Sequence, residues 1–135
     1  MSELLLDASV VLAASDYDDS NREGALALLA DESLLLATID LARYEVANTA
    51  VRRWSKPEEV APLLRVLAHI EDEGEIIHST QTLIAHAAEL ADEHAISVYD
   101  AAYVAAARES GRSLVSCDVR DLVSKGLAEL PDAAA

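Results

Sequence analysis

Asp7, Asp100 and Asp118 each stand where an apolar run gives way to a helical pattern, and Glu45 stands inside a helical pattern, beside its apolar stripe. In an open α/β sheet, ligand sites form outside the carboxyl ends of the strands, so the three aspartates can share one rim. Glu45, in RYEVAN, has Leu41, Ala42 and Thr49 as helical neighbours and therefore borders the core. An unpaired ionised group in that position is costly, so it asks for a partner. Converging carboxylates repel one another, and a hard divalent cation with oxygen ligands is the simplest compensation. Two such ions about 3.5–4 Å apart activate water and stabilise the leaving oxygen of a phosphodiester displacement. Helix capping is the competing account of the aspartates. It does not explain a carboxylate in mid-helix.

The elements that must position these groups alternate along the chain. A short strand over 4–6 ends at Asp7, and 8–14 starts a helix; 18–21 lead into a second helix over 22–31, in which Gly24 is a weak spot. Residues 34–37 read as a second strand, with Thr38 capping a long helix over 39–54. Pro57, Glu58 and Glu59 open the next helix, which Gly74 ends. A strand over 75–78 follows, then a helix capped by Ser79 or Thr80 and running to about residue 94. The run 96–98 leads into a helix over 99–110 closed by Gly111, then a strand over 113–116 and a last short helix over 119–125. The strands are continuously apolar rather than alternating. The fold class is therefore α/β, with a central, mostly parallel sheet of four to five strands and helices on both faces. One domain spans 1–131, and 132–135 read as a short flexible tail.

Composition narrows the function. The chain has 135 residues, just over half of them hydrophobic, with no Phe and a formal charge of −15. That charge argues against broad, backbone-tracking nucleic-acid binding, which relies on a basic surface. A polyanion could still be engaged through a few arginines or through cations held by carboxylates, because bound metal reverses the local field. The lone Cys117 cannot form an internal disulfide, no secretory signal is apparent, and no apolar run reaches the roughly 20 residues that span a bilayer. The expected location is the cytoplasm.

Four segments, LLLDASVVL, RYEVAN, SVYDAAYVAAA and LVSCDVRDL, resemble in order and spacing the four motifs of the PIN domain, most closely the VapC-type toxin ribonucleases of toxin–antitoxin pairs. The likeness spans essentially the whole chain. It implies a PIN-like domain in which Asp7, Glu45, Asp100 and Asp118 are the catalytic carboxylates, holding one or two Mg²⁺ or Mn²⁺ ions for hydrolysis of single-stranded or loop RNA. It further implies a homodimer and a small cognate antitoxin. Ser9 and Ser116 match positions of small polar residues and are candidates for hydrogen bonds to ligands or substrate. Asp121 is either a fifth acid or a surface cap. Arg43, Arg52, Arg53 and Lys56 are the leading candidates for RNA phosphate contacts, with Arg108, Arg112 and Arg120 behind them.

Other readings compete. LLLDASVV also resembles the nucleophile strand of haloacid-dehalogenase-type phosphatases, although the second aspartate of that pattern is Ser9 here, and Lys56 and Lys125, the chain's only lysines, do not follow a strand directly. A catalytically inactive PIN-like module that binds a protein partner is the non-enzymatic alternative. Cys117 could be a nucleophile paired with one of His69, His78, His86 or His94, but a small buried thiol at a strand end is commoner. Trp54 suits packing or a dimer contact. Tyr44, Tyr99 and Tyr103 flank proposed ligands and could stack on bases, although packing against the sheet is the simpler role.

Overall fold

The computed structural model describes residues 2–134. Its centre is β1 (Ser2–Leu6), in which Leu4, Leu5 and Leu6 are consecutively buried, so both faces of the strand are covered. β1 pairs in parallel with β2 (Leu34–Ile39) on one side and β4 (Ser113–Val115) on the other, while β2 pairs in parallel with β3 (Glu75–Ile77). The order β3-β2-β1-β4 makes a four-stranded, all-parallel sheet. Every strand therefore ends on the same edge. The chain builds outwards from β1 to β3, then returns to the far side of β1, and the switch in direction opens between β1 and β4, where ligands of such sheets bind.

The helices cover this sheet as their apolar spacing requires. α1 (Ala8–Ser15) and α2 (Arg22–Ala30) follow β1; α3 (Leu41–Asn48) follows β2 and continues as a π-helical turn, Thr49–Arg53. A 3₁₀ turn, Pro57–Glu59, starts α4 (Val60–Glu73), which buries Leu63, Leu67 and Ile70 on one stripe. α5 (Gln81–His94) buries Leu83, Ala87 and Leu90 against α6 (Val98–Ser110). Ala101, Ala105 and Ala106 of α6 are buried, and such small side chains allow close approach to the sheet. A π-helical turn, Val119–Val123, follows β4, and α7 (Pro131–Ala134) ends the described chain. No helix among the described residues is long and apolar enough to cross a membrane.

The structure departs from the sequence reading at four places. Thr38 does not cap a helix: Thr38 and Ile39 extend β2, because Ile39 pairs with Ile77 and the Thr38 hydroxyl donates to the Leu6 carbonyl at 2.8 Å. The helix starts at Leu41 instead, and its last turns widen into the π segment. α6 starts at Val98 rather than at residue 99, capped by the Ser97 hydroxyl, and the sheet has four strands; a single bridge between Val115 and Glu129 is the only further pairing among the described residues. Residues 131–134 form α7, with Pro131 buried and the element packed on α2, where the sequence reads as a loose end; Ala135 lies outside the described residues.

Candidate metal centre

Asp7 leaves the end of β1 in an extended conformation and caps α1. Its Oδ1 accepts the Ser9 N–H at 2.9 Å and also the Ser9 hydroxyl, and its Oδ2 accepts the Ser116 hydroxyl at 2.5 Å. The Asp7 N–H donates to the Val115 carbonyl at 3.1 Å, which locks the end of β1 to β4. Only 5% of the residue is exposed. Burial pushes its pKa up to about 6, the Ser116 and Ser9 hydrogen bonds pull it down, and Glu45 raises it further.

The two serines extend this network. Ser9 Oγ accepts the Cys117 N–H at 2.8 Å, and Ser116 Oγ accepts the Asp118 N–H at 2.9 Å. Ser116 thus joins two carboxylates, donating to one and receiving the backbone of the other. Asp118 in turn caps the π-helical turn, its Oδ1 taking the Asp121 N–H at 3.0 Å. Asp100 sits in the first turn of α6, its N–H held by Ser97 Oγ at 3.0 Å. One carboxylate oxygen each from Asp100, Asp118 and Asp121 lies within 4.8 Å of the others.

Asp7 and Glu45 fall outside that tight group but are coupled to it. Burial raises the Glu45 pKa, a 2.8 Å hydrogen bond from the Tyr103 hydroxyl opposes this, and Asp100 adds to it. Asp100 is raised by burial, then by Asp118 and Asp121. Asp7 feels Glu45, Glu45 feels Asp100, and Asp100 feels the last two acids. The four predicted carboxylates therefore share one field with Asp121, whose backbone N–H donates to the capping Asp118 while its own carboxylate joins the cluster.

The donors suit a hard cation. They are carboxylate oxygens alone, the set that Mg²⁺ or Mn²⁺ takes, and their mutual repulsion is what a divalent ion relieves. Cys117 does not compete as a thiolate, because burial and Asp7 push its pKa up to about 12. Its pairing with a histidine also fails: His78 lies near Asp40, His86 near Glu109, His94 near Glu93, and His69 is exposed. Nor does a lysine stand at Asp7. Lys125 Nζ donates to the His94 carbonyl at 2.7 Å, and Lys56 lines a groove of about 610 Å³ with Tyr17, Arg22 and Trp54 beyond the far end of α1.

Among the basic candidates, Arg43 is engaged by Glu71 at 3.1 Å and Arg112 by Glu75 at 2.9 Å, whereas Arg52 and Arg53 are exposed on the π segment. Arg120, ranked low from sequence, is exposed beside Asp121 at 3.8 Å. Of the three tyrosines, only Tyr103 packs inside; Tyr44 and Tyr99 are 79% and 66% exposed, contrary to the packing role expected of them. Tyr103 as the partner of Glu45 was missed by sequence reasoning. The available signal was its place three residues after Asp100, on the same helical face.

Comparison with known proteins agrees with this fold. Ribonuclease VapC3 of Pyrobaculum aerophilum is 33% identical over 127 residues, covering 91% of this chain and 94% of that protein. The crystal structure of Mycobacterium tuberculosis VapC20, a sarcin–ricin loop cleaving toxin, superposes with a TM-score of 0.77 at 21% identity, over 94% of this chain and 98% of that one. VapBC2 from Rickettsia felis, bound to a DNA fragment from its promoter, gives 0.66 at 18% identity, over 95% and 96%. The PIN domain model matches residues 4–124, a span that holds all five acids and both serines. The chain therefore belongs to the PIN domain family.

Proposed function

We propose that this protein is a Mg²⁺- or Mn²⁺-dependent endoribonuclease, cutting single-stranded or loop RNA as the toxin of a toxin–antitoxin pair in the cytoplasm. The observation that carries the reading is the convergence of Asp100, Asp118 and Asp121 oxygens within 4.8 Å, electrostatically coupled to Glu45 and Asp7. Asp7, Glu45, Asp100 and Asp118 are the proposed ligands, with Asp121 as a fifth. A divalent cation there supplies Lewis-acid activation of water and stabilisation of charge on the phosphate.

The chain's own residues hold and orient. Ser9 and Ser116 fix both oxygens of Asp7 and keep it ionisable despite burial. Asp118 is aimed by the helical turn it caps. Arg52, Arg53 and Lys56, all exposed and without an ion pair among the described residues, are candidates to meet RNA phosphates, while Tyr44 and Tyr99 stand exposed next to Glu45 and Asp100, where unpaired bases could stack. The ribonuclease activity named for the Pyrobaculum relative supports the reaction class, and the Rickettsia complex supports an antitoxin as partner. A homodimer belongs to the same proposal. The phosphatase alternative finds no support, because Asp7 is held by two hydroxyls with no lysine beside it.

The test is cleavage of a mixed structured RNA by antitoxin-free protein in Mg²⁺ or Mn²⁺, against Asp7→Asn and a chelator control. Cutting that disappears in both controls is the expected result. An inert wild type whose calorimetry shows no metal uptake would leave only the binding-module reading.

A further inference from the structure

We propose that Tyr103 is a positioning residue of the acidic centre, holding Glu45 by one oxygen and tying α3 to α6, the helix that carries Asp100. This rests on the metal-dependent reading above. Tyr103 lies on α6, is 1% exposed and is among the largest fully buried side chains of the protein. Its hydroxyl donates to Glu45 Oε1 at 2.8 Å, across 58 residues of sequence.

Glu45 is the hydrogen-bond acceptor for the phenol's proton. A phenol is protonated at neutral pH, so the hydroxyl remains a donor. The bond fixes the direction of the Glu45 carboxylate, whose two oxygens keep further lone pairs for a cation. The bond also favours the ionised form of Glu45 against the burial that opposes it. Packing alone does not require the hydroxyl, since phenylalanine fills nearly the same volume. Hydrogen-bond partners behind metal ligands commonly change metal affinity by about ten- to a hundredfold when removed.

The experiment is calorimetric titration of Mn²⁺ into the wild type, Tyr103→Phe, Glu45→Gln and the double variant, with circular dichroism and melting of each. Tyr103→Phe is expected to fold and to bind Mn²⁺ about tenfold or more weakly. In the Glu45→Gln background the same change should add little, because the residue it acts through has already lost its charge. Unchanged Mn²⁺ affinity in Tyr103→Phe overturns the proposal and leaves the tyrosine as packing. An equal loss in both backgrounds overturns it too, assigning the effect to general disturbance. No Mn²⁺ uptake by the wild type removes the metal reading itself, and this inference with it.

Discussion

Replacing Asp7 by asparagine should abolish activity and yet stabilise the metal-free protein at neutral pH. The folded pKa of Asp7 is raised from 3.8 to about 6. A group raised in this way contributes stability that is present below 3.8 and is lost as pH rises through about 6. At pH 7.5 the roughly two-unit shift, at about 1.4 kcal/mol per unit, corresponds to about 3 kcal/mol lost by ionising the buried group. Asparagine carries no charge, and its carbonyl can still accept the Ser9 donors while its amide faces Ser116 Oγ. Allowing for imperfect hydrogen bonds, a gain of about 1–3 kcal/mol remains. For 135 residues that is a rise in Tm of about 3–10 °C. Thermal melts of both proteins in chelator, from pH 4 to pH 8, should show the gap closing as the medium is acidified. Mn²⁺ at about a thousand times its Kd should then reverse the order, since it stabilises the binding-competent protein by about 4.1 kcal/mol. A variant less stable than wild type in chelator at pH 7.5, by an amount that does not change with pH, would refute the reasoning.

Ser116→Ala should lower metal-dependent activity about ten- to a hundredfold and move the acid limb of its pH profile upwards, because the lost hydrogen bond is one that holds the Asp7 pKa down. Steady-state kinetics across pH 5–8 at fixed Mn²⁺ check both effects. Gly74→Ala should destabilise by about 3 kcal/mol, because a Cβ there overlaps the Leu36 carbonyl oxygen of β2; urea unfolding measures it. Ala95→Gly should stabilise by about 1 kcal/mol, since Ala95 ends α5 in the left-handed region at φ 55, which costs an L side chain that much; the same titration, with activity unchanged, is the check.

What the sequence made legible was whatever local spacing determines. Asp7 and Asp118 announce themselves because an apolar run must end and a helix must be capped, and Glu45 because a 3.6-residue period places it against the stripe of α3. Asp121 and Tyr103 were harder, because their partners lie across the fold. Nothing near residue 121 says that α6 delivers Asp100 within 4.8 Å, and nothing near residue 103 names Glu45. Thr38 misled for the opposite reason: it is a good cap by type, but Ile77 and the Leu6 carbonyl claimed it and Ile39 for the sheet. Gly24 reads as a weak point in α2. A Cβ there would meet the carboxylate of Asp132, so the glycine makes room for the α7 residues that sequence alone suggests are loose.

Capping and ligation, treated as rival accounts of the aspartates, are compatible within one arrangement. A carboxylate at a strand end is drawn into the sheet edge, where burial alone would neutralise it. The helix it starts supplies unpaired N–H groups at the same point. Asp7 takes the Ser9 N–H and Asp118 takes the Asp121 N–H, each through Oδ1. For Asp7, the bond from Ser9 lowers the pKa that burial raises. The cap also fixes the side chain's direction before any cation arrives, which limits the ordering that binding must impose. A parallel sheet that ends its strands on acids therefore supplies charge, orientation and partial neutralisation together. Changing a capping residue at this rim should register in metal affinity as well as in melting temperature, whereas the Thr80 cap of α5, whose hydroxyl takes the Leu83 N–H at 3.1 Å with no acid in that first turn, should register in melting temperature alone.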